Sequence, residues 1–410
     1  MKLNSPDQVA TLRVPRLEEV DLKELQKGRL ARLQETMRRY EFPVCLFFNP
    51  ANIRYATGTD TTYINSLELF WRYCVVPAEG APILFEVPGT FHHAKKMVDD
   101  VRPAIDWAYV GHGAAETAKS WVKEISDVLS ELGVGDSVLA LDRIDTDGFL
   151  ALQGEGIRLV DSSPVTVDAR EVKTPEEVEL FKINGSIGSA LLAEFEAAIR
   201  PGIREYELLA VLHDKLIRLR GEFGFLRMVA SGTNTNPWWP DAQDKLVMPG
   251  DLVGVDTDVH GYQGYVIDVS RTFLCGDVAT PEQKEAYRVA YDSVTAMREI
   301  AKPGMTYQEF ADQVPALPEK YREQRYSVMA HTVGLEDSDA PSIPYPDLEP
   351  VPERELRENM VLNLECYAGA VGAPFGVKLE DQVLLTDRGA ELLVTYPYEA
   401  KLLDNAPGRG

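Results

Sequence analysis

The stretch Asp251 to Thr272, DLVGVDTDVHGYQGYVIDVSRT, constrains this chain more than any other, because it sets three acids around a turn between two apolar segments. Asp256 and Asp258 alternate with Val255, Thr257 and Val259, so in an extended strand both carboxylates point to one face. The turn-rich HGYQG, His260 to Gly264, lets the chain fold back. Asp268 then lies on the returning strand, Tyr265 to Phe273, where it can meet the first two acids. Carboxylates converging in an apolar hairpin repel one another unless a cation sits between them. A metal site is the natural resolution.

Further ligands can be sought downstream. His331 follows YSVMA and precedes TVGLED, Glu365 closes the apolar run MVLNLE, and Glu380 sits in the strand-like VKLEDQVLL. An acid inside a strand of Val and Leu is costly without a partner. Taken singly, each of these residues also reads as a turn acid, a surface acid or half of an ion pair. Taken together, acids on several apolar segments with one histidine beside them read as a metal centre. Asp, Glu and a single His suit hard or borderline divalent ions such as iron, manganese, cobalt, zinc or nickel. So many carboxylates call for two ions.

Composition narrows the partners. A length of 410 residues allows two domains, and 45% hydrophobic with 26% charged residues describes a soluble globular protein with an ample core. The net charge of −23 repels phosphate, which argues against nucleic acid and anionic membranes but leaves room for a small cationic or zwitterionic substrate. Cys45, Cys74, Cys275 and Cys366 are widely spaced without CxxC, so neither a zinc ribbon nor a disulfide framework is indicated. The N-terminus has no apolar core of signal-peptide length and no window reaches transmembrane length, so the cytoplasm is the expected compartment. Neither GxGxxG nor a P-loop occurs.

Residues 1–165 read as an α/β domain. LKELQKGRLARLQETMRRY and SWVKEISDVLSELG have helical periodicity, while VCLFFN, SLELFWRYCVVP, SVLALD and IRLV read as strands. A junction follows, with Ser162, Ser163 and Pro164 interrupting the pattern. Thr174 and Glu177 then form a capping box, with Pro175 at the first helical position of a helix that ends near Ile199. In residues 166–410, IRPGIREYELLAVL resembles IAKPGMTYQEFADQV: a helix end, Pro-Gly, then a new amphipathic helix. Two such halves suggest a pseudo-twofold α+β domain with the site at the seam.

GYVIDVSRTF, the HTVG segment, Glu365 in MVLNLECY and Glu380 in LEDQVLLTDRG together resemble the five-ligand signature of the pita-bread metallopeptidase superfamily, which includes prolidase, creatinase and methionine aminopeptidase. The N-terminal half, with FNPANIRYATGTD, is similar to the creatinase and prolidase amino-terminal domain. Departures from the peptidase pattern carry more information than the matches. The first peptidase Asp falls on Thr257, between Asp256 and Asp258, and the two histidines that serve amide hydrolysis fall on Trp239 and Ser338. Without them little remains to stabilise a tetrahedral intermediate or to protonate an amine leaving group.

These departures resemble the dimethylsulfoniopropionate lyases of the DddP type. That resemblance implies carbon–sulfur cleavage of a small zwitterionic sulfonium by metal-assisted β-elimination, and a homodimer. It implies Asp256, Asp258, Asp268, His331, Glu365 and Glu380 as ligands, iron as the favoured metal, Asp337 as the base and Tyr326 in the substrate pocket. Trp238 and Trp239 are candidates for cation-binding faces, although each reads equally as core packing, and Trp71 is a candidate from the N-terminal domain. Asp337 also reads as a solvated loop acid in EDSD. Arg271 is expected to pair with strand acids behind the ligands, whereas His92, His93, His112, His213 and His260 have no ligand context. Two other functions remain open: a prolidase-, creatinase- or ectoine-hydrolase-like enzyme, and a binding module that keeps the fold without catalysis.

Overall fold

Residues 20–60, 71–107 and 113–403 are described by the structure, a computed structural model, and they divide into a unit spanning Asp21–Arg170 and another that starts at Glu171. His112 and the front of the strand expected over 66–77 lie outside the described residues.

The first unit opens with a helix, Leu22–Arg39, started by the Asp21 carboxylate, which accepts from the Lys23 and Glu24 amides at 3.0 and 3.1 Å. Its buried face carries Leu25, Leu33 and Met37. Strands β1 (Val44–Phe47), β2 (Tyr73–Pro77), β3 (Ile83–Glu86), β4 (Val101–Pro103), β5 (Val138–Leu141) and β6 (Arg158–Asp161) form one mixed sheet in the order β4-β3-β2-β1-β5-β6. Its core gathers Phe48, Tyr73, Trp107 and Trp121 beside the helix Ala114–Glu131, with the two indoles 4.1 Å apart. This is the expected α/β unit.

The junction differs from expectation. Ser163–Glu171 is helical, because the Asp161 carboxylate accepts from the Ser163 amide at 2.9 Å and its hydroxyl at 2.7 Å. Pro164 sits in the first turn, where its missing N–H costs nothing. The two units divide between Arg170 and Glu171, at the last turn of this helix.

In the second unit the Thr174 capping box starts the long helix Pro175–Ala198, and a second box at Thr280 starts its counterpart, Pro281–Ile300. Each is followed by Pro-Gly and a shorter helix, Glu205–Arg218 or Tyr307–Gln313. The backbone repeats as well. Gly202 and Glu205 donate to the Val247 and Lys245 carbonyls at 2.8 and 3.1 Å, and Gly304 and Tyr307 donate to Leu356 and Arg354 at 2.8 and 2.9 Å. The pseudo-twofold is thus written into main-chain bonds as well as sequence.

Strands β7 (Phe223–Gly224), β10 (Val259–His260) and β11 (Val266–Ile267) form a small sheet, while β8 (Val229–Ser231), β9 (Leu252–Asp256) and β12 (Ser270–Leu274) form the sheet of the first half. The second half has β13 (Val328–Thr332), β14 (Ile343–Pro344), β15 (Val361–Gly369), β16 (Gly376–Thr386) and β17 (Gly389–Leu392). Side chains stitch β12 to β16: the Thr272 hydroxyl donates to the Lys378 carbonyl at 2.8 Å, and the Ser270 hydroxyl donates to Glu380 at the same distance. Arg271, fully buried, pairs with Asp381 at 3.0 Å and packs over Tyr398. No described helix is long and apolar enough to cross a membrane.

Candidate metal centre

The seam between β12 and β16 is where the acids meet. Asp256 ends β9, Asp258 follows it, Asp268 lies between β11 and β12, and His331, Glu365 and Glu380 sit in β13, β15 and β16. None of the six is more than 8% exposed. Oxygens of Asp256, Asp258 and Asp268 lie within 4.8 Å of one another, as do ligand atoms of Asp268, His331 and Glu380. Asp268 belongs to both groups. Glu365 borders the second, its Oε1 3.7 Å from His331 Nε2.

The chain reaches this arrangement through a kink and not through the plain extended strand that alternation suggests. The registers of β9 with β12 and of β10 with β11 would continue through Asp258 opposite Asp268, yet the ladder is interrupted there. Thr257 fills the gap, its hydroxyl donating to the Ile267 carbonyl at 2.9 Å and accepting from the Val269 amide at 3.0 Å. Asp258 takes a left-handed φ of 37°, which Asp tolerates better than most residues. Thr257 is thus a staple between strands.

Whether these residues suit a metal can be judged from their unused atoms. Asp256 Oδ1, Asp258 Oδ2, Asp268 Oδ1, Glu365 Oε1 and Glu380 Oε1 are buried without a hydrogen-bond partner. Each such orphan costs roughly 1–3 kcal/mol or more, and divalent ions with oxygen preference relieve several at once. His331 Nδ1 lies 3.0 Å from the Asp337 carbonyl. A carbonyl only accepts, so Nδ1 carries a proton and Nε2 faces Asp268 and Glu380 at 3.4 and 3.5 Å. Metal-ligating histidines are held in this way. The donor set fits.

A residue that the sequence reading passed over stands among the ligands. Lys378 Nζ lies 2.7 Å from Glu365, 3.2 Å from Asp256 and 3.2 Å from Glu380, and its side chain is 1% exposed. The acids are therefore neutralised in part by the chain's own ammonium, and divalent ions are not their sole counter-charge. Lys378→Met should destabilise the metal-free protein by about 3–5 kcal/mol, since it leaves buried acids unpaired. It should also tighten metal binding, because a competing positive charge is gone. Thermal unfolding and metal titration of the variant check both.

Burial pushes the Glu365 carboxyl up to about 7, with Glu380 adding to the rise and Lys378 and His331 opposing it. Burial, then neighbouring acids, raise Asp258 and Asp268 well above the carboxylate range. Burial works against charge on Glu380 too, but Lys378 and His331 hold its pKa below the ordinary value. Burial likewise disfavours the His331 imidazolium, yet the Asp268 and Glu380 carboxylates beside Nε2 raise it well above 6.5. Groups whose folded pKa is raised contribute stability below their unfolded pKa and lose it as pH climbs through the folded one. Metal-free protein should therefore lose stability as pH rises from 4.5 to about 7, on the order of 3 kcal/mol from Glu365 alone. Metal binding over that range should expel protons, which titration calorimetry in buffers of different ionisation enthalpy measures.

Asp337 stands on the loop after β13 with its side chain exposed. Protein packed around the carboxylate raises its pKa, Glu380 adds to the rise, and His331 and Lys378 oppose it; the residue's exposure limits the size of the shift. Tyr326, half-buried, lies with its ring centroid 4.4 Å from Lys378 Nζ and stacks on Trp239 at 5.4 Å. Trp239 is 64% exposed and holds a left-handed φ of 90°, a costly backbone for a bulky residue. Trp238 follows the packing reading: it is 6% exposed, against Tyr367 and over Gly254. Trp71 belongs to the other unit and is half-buried there. Ser338 is exposed beside Asp337. His260 packs against Phe223 and Phe225, and His213 is packed against Gly224. Among the described residues, neither joins a metal-binding group.

Residues 179–387 match metallopeptidase family M24, and residues 29–172 match the creatinase/prolidase N-terminal domain. The dimethylsulfoniopropionate lyase DddP of Roseovarius nubinhibens is 30% identical over 396 residues, covering 93% of this chain and 88% of that one. The chain belongs to the DddP-type branch of family M24. Family M24 implies divalent metal ions, in agreement with the donor set above. The Xaa-Pro dipeptidase of Pyrococcus furiosus is 33% identical over 236 residues, but this covers 56% of the present chain and 64% of the dipeptidase. The solved Xaa-Pro dipeptidase from Bacillus anthracis superposes with a TM-score of 0.75 at 21% identity, covering 91% of this chain and 99% of its own. At that identity the match speaks for the fold, which the DddP-type branch shares with the peptidases.

Proposed function

We propose that this chain is a metal-dependent carbon–sulfur lyase that cleaves dimethylsulfoniopropionate to dimethyl sulfide and acrylate. The observation that carries the reading is the pair of buried groups, Asp256 with Asp258 and Asp268, and Asp268 with His331 and Glu380, close enough to Asp337 for Glu380 and His331 to act on its charge. The resemblance to the peptidases puts Trp239 and Ser338 at the places of their histidines. Similarity to a DddP lyase along 93% of the chain supports it. The Xaa-Pro dipeptidase similarity is shorter and leaves those two positions without a proton donor.

In this reading Asp256, Asp258, Asp268, His331, Glu365 and Glu380 hold two divalent ions, with iron favoured. Bound there, the ions would supply Lewis acidity toward the substrate carboxylate, making the α-proton more acidic. Asp337 accepts that proton. The electrons of the Cα–H bond become the Cα–Cβ double bond, and the Cβ–S pair leaves with sulfur as neutral dimethyl sulfide. A sulfonium needs no proton to depart, so the site works without a general acid. Asp337 then returns its proton to solvent. Tyr326 and the exposed Trp239 offer electron-rich surface to the sulfonium. The proposal includes a homodimeric, cytoplasmic enzyme.

Trp239→Ala should raise KM by ~2- to 30-fold with little change in kcat, the equivalent of ~0.5–2 kcal/mol of cation–π attraction. Initial rates across substrate concentration decide this, and an unchanged KM removes Trp239 from the site. The function itself is tested by headspace detection of dimethyl sulfide from metal-loaded protein, run beside proline release from Xaa-Pro dipeptides. Proline without dimethyl sulfide would reject the lyase reading.

A further inference from the structure

We propose that the buried ion pair Lys173–Asp339 is a positioning device for Asp337, an inference that rests on Asp337 acting as the base. Asp337 stands in the loop TVGLEDSD that follows β13. His331 and Lys378 attract the Asp337 carboxylate while Glu380 and Asp339 repel it and Asp258 is repelled by it, so charge alone does not fix the place of this exposed acidic loop. The loop must be held there.

Main-chain bonds begin the task. The Asp339 amide donates to the Thr332 carbonyl at 3.2 Å, closing the loop at its base, and the Val266 amide donates to the Gly334 carbonyl at 2.8 Å, tying it to the aspartate hairpin. His331 Nδ1 donates to the Asp337 carbonyl at 3.0 Å. The charged tie comes from 166 residues away: Lys173 Nζ lies 3.0 Å from Asp339 Oδ2, with side chains 0% and 2% exposed. A Cβ on Gly334 would fall 1.5 Å from Asp339 Oδ2, so the loop runs directly over the pair and only glycine fits.

Lys173 is itself fixed. Its amide donates to the Asn359 carbonyl at 2.9 Å, Val172 bridges to Met360 just before β15, and Thr174 caps the next helix. The ammonium thus links the strand that carries Glu365 to the loop that carries the base, and two residues separate Asp339 from Asp337. A base displaced by about 1 Å loses on the order of a hundredfold in rate.

The test compares the neutral pair Lys173→Gln with Asp339→Asn, the charge-preserving Lys173→Arg, and Asp337→Asn, reading kcat, KM, metal content and thermal unfolding for each. Positioning predicts that the neutral pair keeps metal content and KM near wild type while kcat falls ten- to a hundredfold, and that Lys173→Arg recovers most of it. A neutral pair with wild-type kcat, while Asp337→Asn is inactive, overturns the positioning role alone. Activity lost in proportion to metal also overturns it, because the pair would then be holding His331 and not the base. Full activity in Asp337→Asn would instead remove the reading of the base on which the inference rests.

Discussion

Asp268→Ala should leave less than about one divalent ion per chain and reduce turnover by a thousandfold or more, a loss of ~4 kcal/mol in transition-state stabilisation. The size of the effect follows from its place: Asp268 is the acid that belongs to both candidate groups, one with Asp256 and Asp258 and the other with His331 and Glu380. Asn363 donates to the second Asp268 oxygen and fixes the carboxylate's direction. Elemental analysis after gentle purification reads the metal, and the rate assay reads the rest. A variant that keeps two ions would mean that the two groups do not share a ligand. The metal-free variant should also be more stable than metal-free wild type near pH 8, because one buried, repelled charge has been removed.

Asp337→Asn should separate chemistry from metal. Metal content is expected to stay at the wild-type level, because the His331 contact uses the Asp337 main-chain carbonyl, which the substitution leaves in place. Release of dimethyl sulfide should fall by ~10²–10⁴-fold, the usual share of a positioned general base. The amide is close in size to the carboxylate but cannot take a proton, so a fall in kcat with KM nearly unchanged is the expected signature. Undiminished release would leave the elimination without its base and point to another proton acceptor.

Much of this site can be read from the chain because its logic is local. Alternation around Val255 and Val259 and a Gly-rich turn point to a meeting of Asp256, Asp258 and Asp268, and Glu365 and Glu380 stand out as acids in apolar strands. The capping box at Thr174 and the repeated Pro-Gly helix start are also visible, because caps and turns depend on neighbouring residues. What stayed hidden depends on backbone angles or on distant partners. The kink at Asp258 rests on a left-handed φ that Asp permits without demanding. The Lys173–Asp339 pair joins residues far apart in sequence. Lys378 left a signal that could have been used: in VKLEDQ it alternates with Glu380 and Gln382 on one face, and a lysine at a core position of a strand asks for acids around it. The helix Ser163–Glu171 was masked by Ser-Ser-Pro, which signals a break and a helix start equally well.

Elimination and water attack differ in where oxygen ends up, so the most direct measurement is product analysis after turnover of dimethylsulfoniopropionate in water enriched in heavy oxygen. A base-driven elimination predicts dimethyl sulfide and acrylate in equal amounts, with no label in the acrylate. Labelled 3-hydroxypropionate as the first product would contradict it, because heavy oxygen at the carbon that lost sulfur means that water, and not Asp337, made the decisive attack.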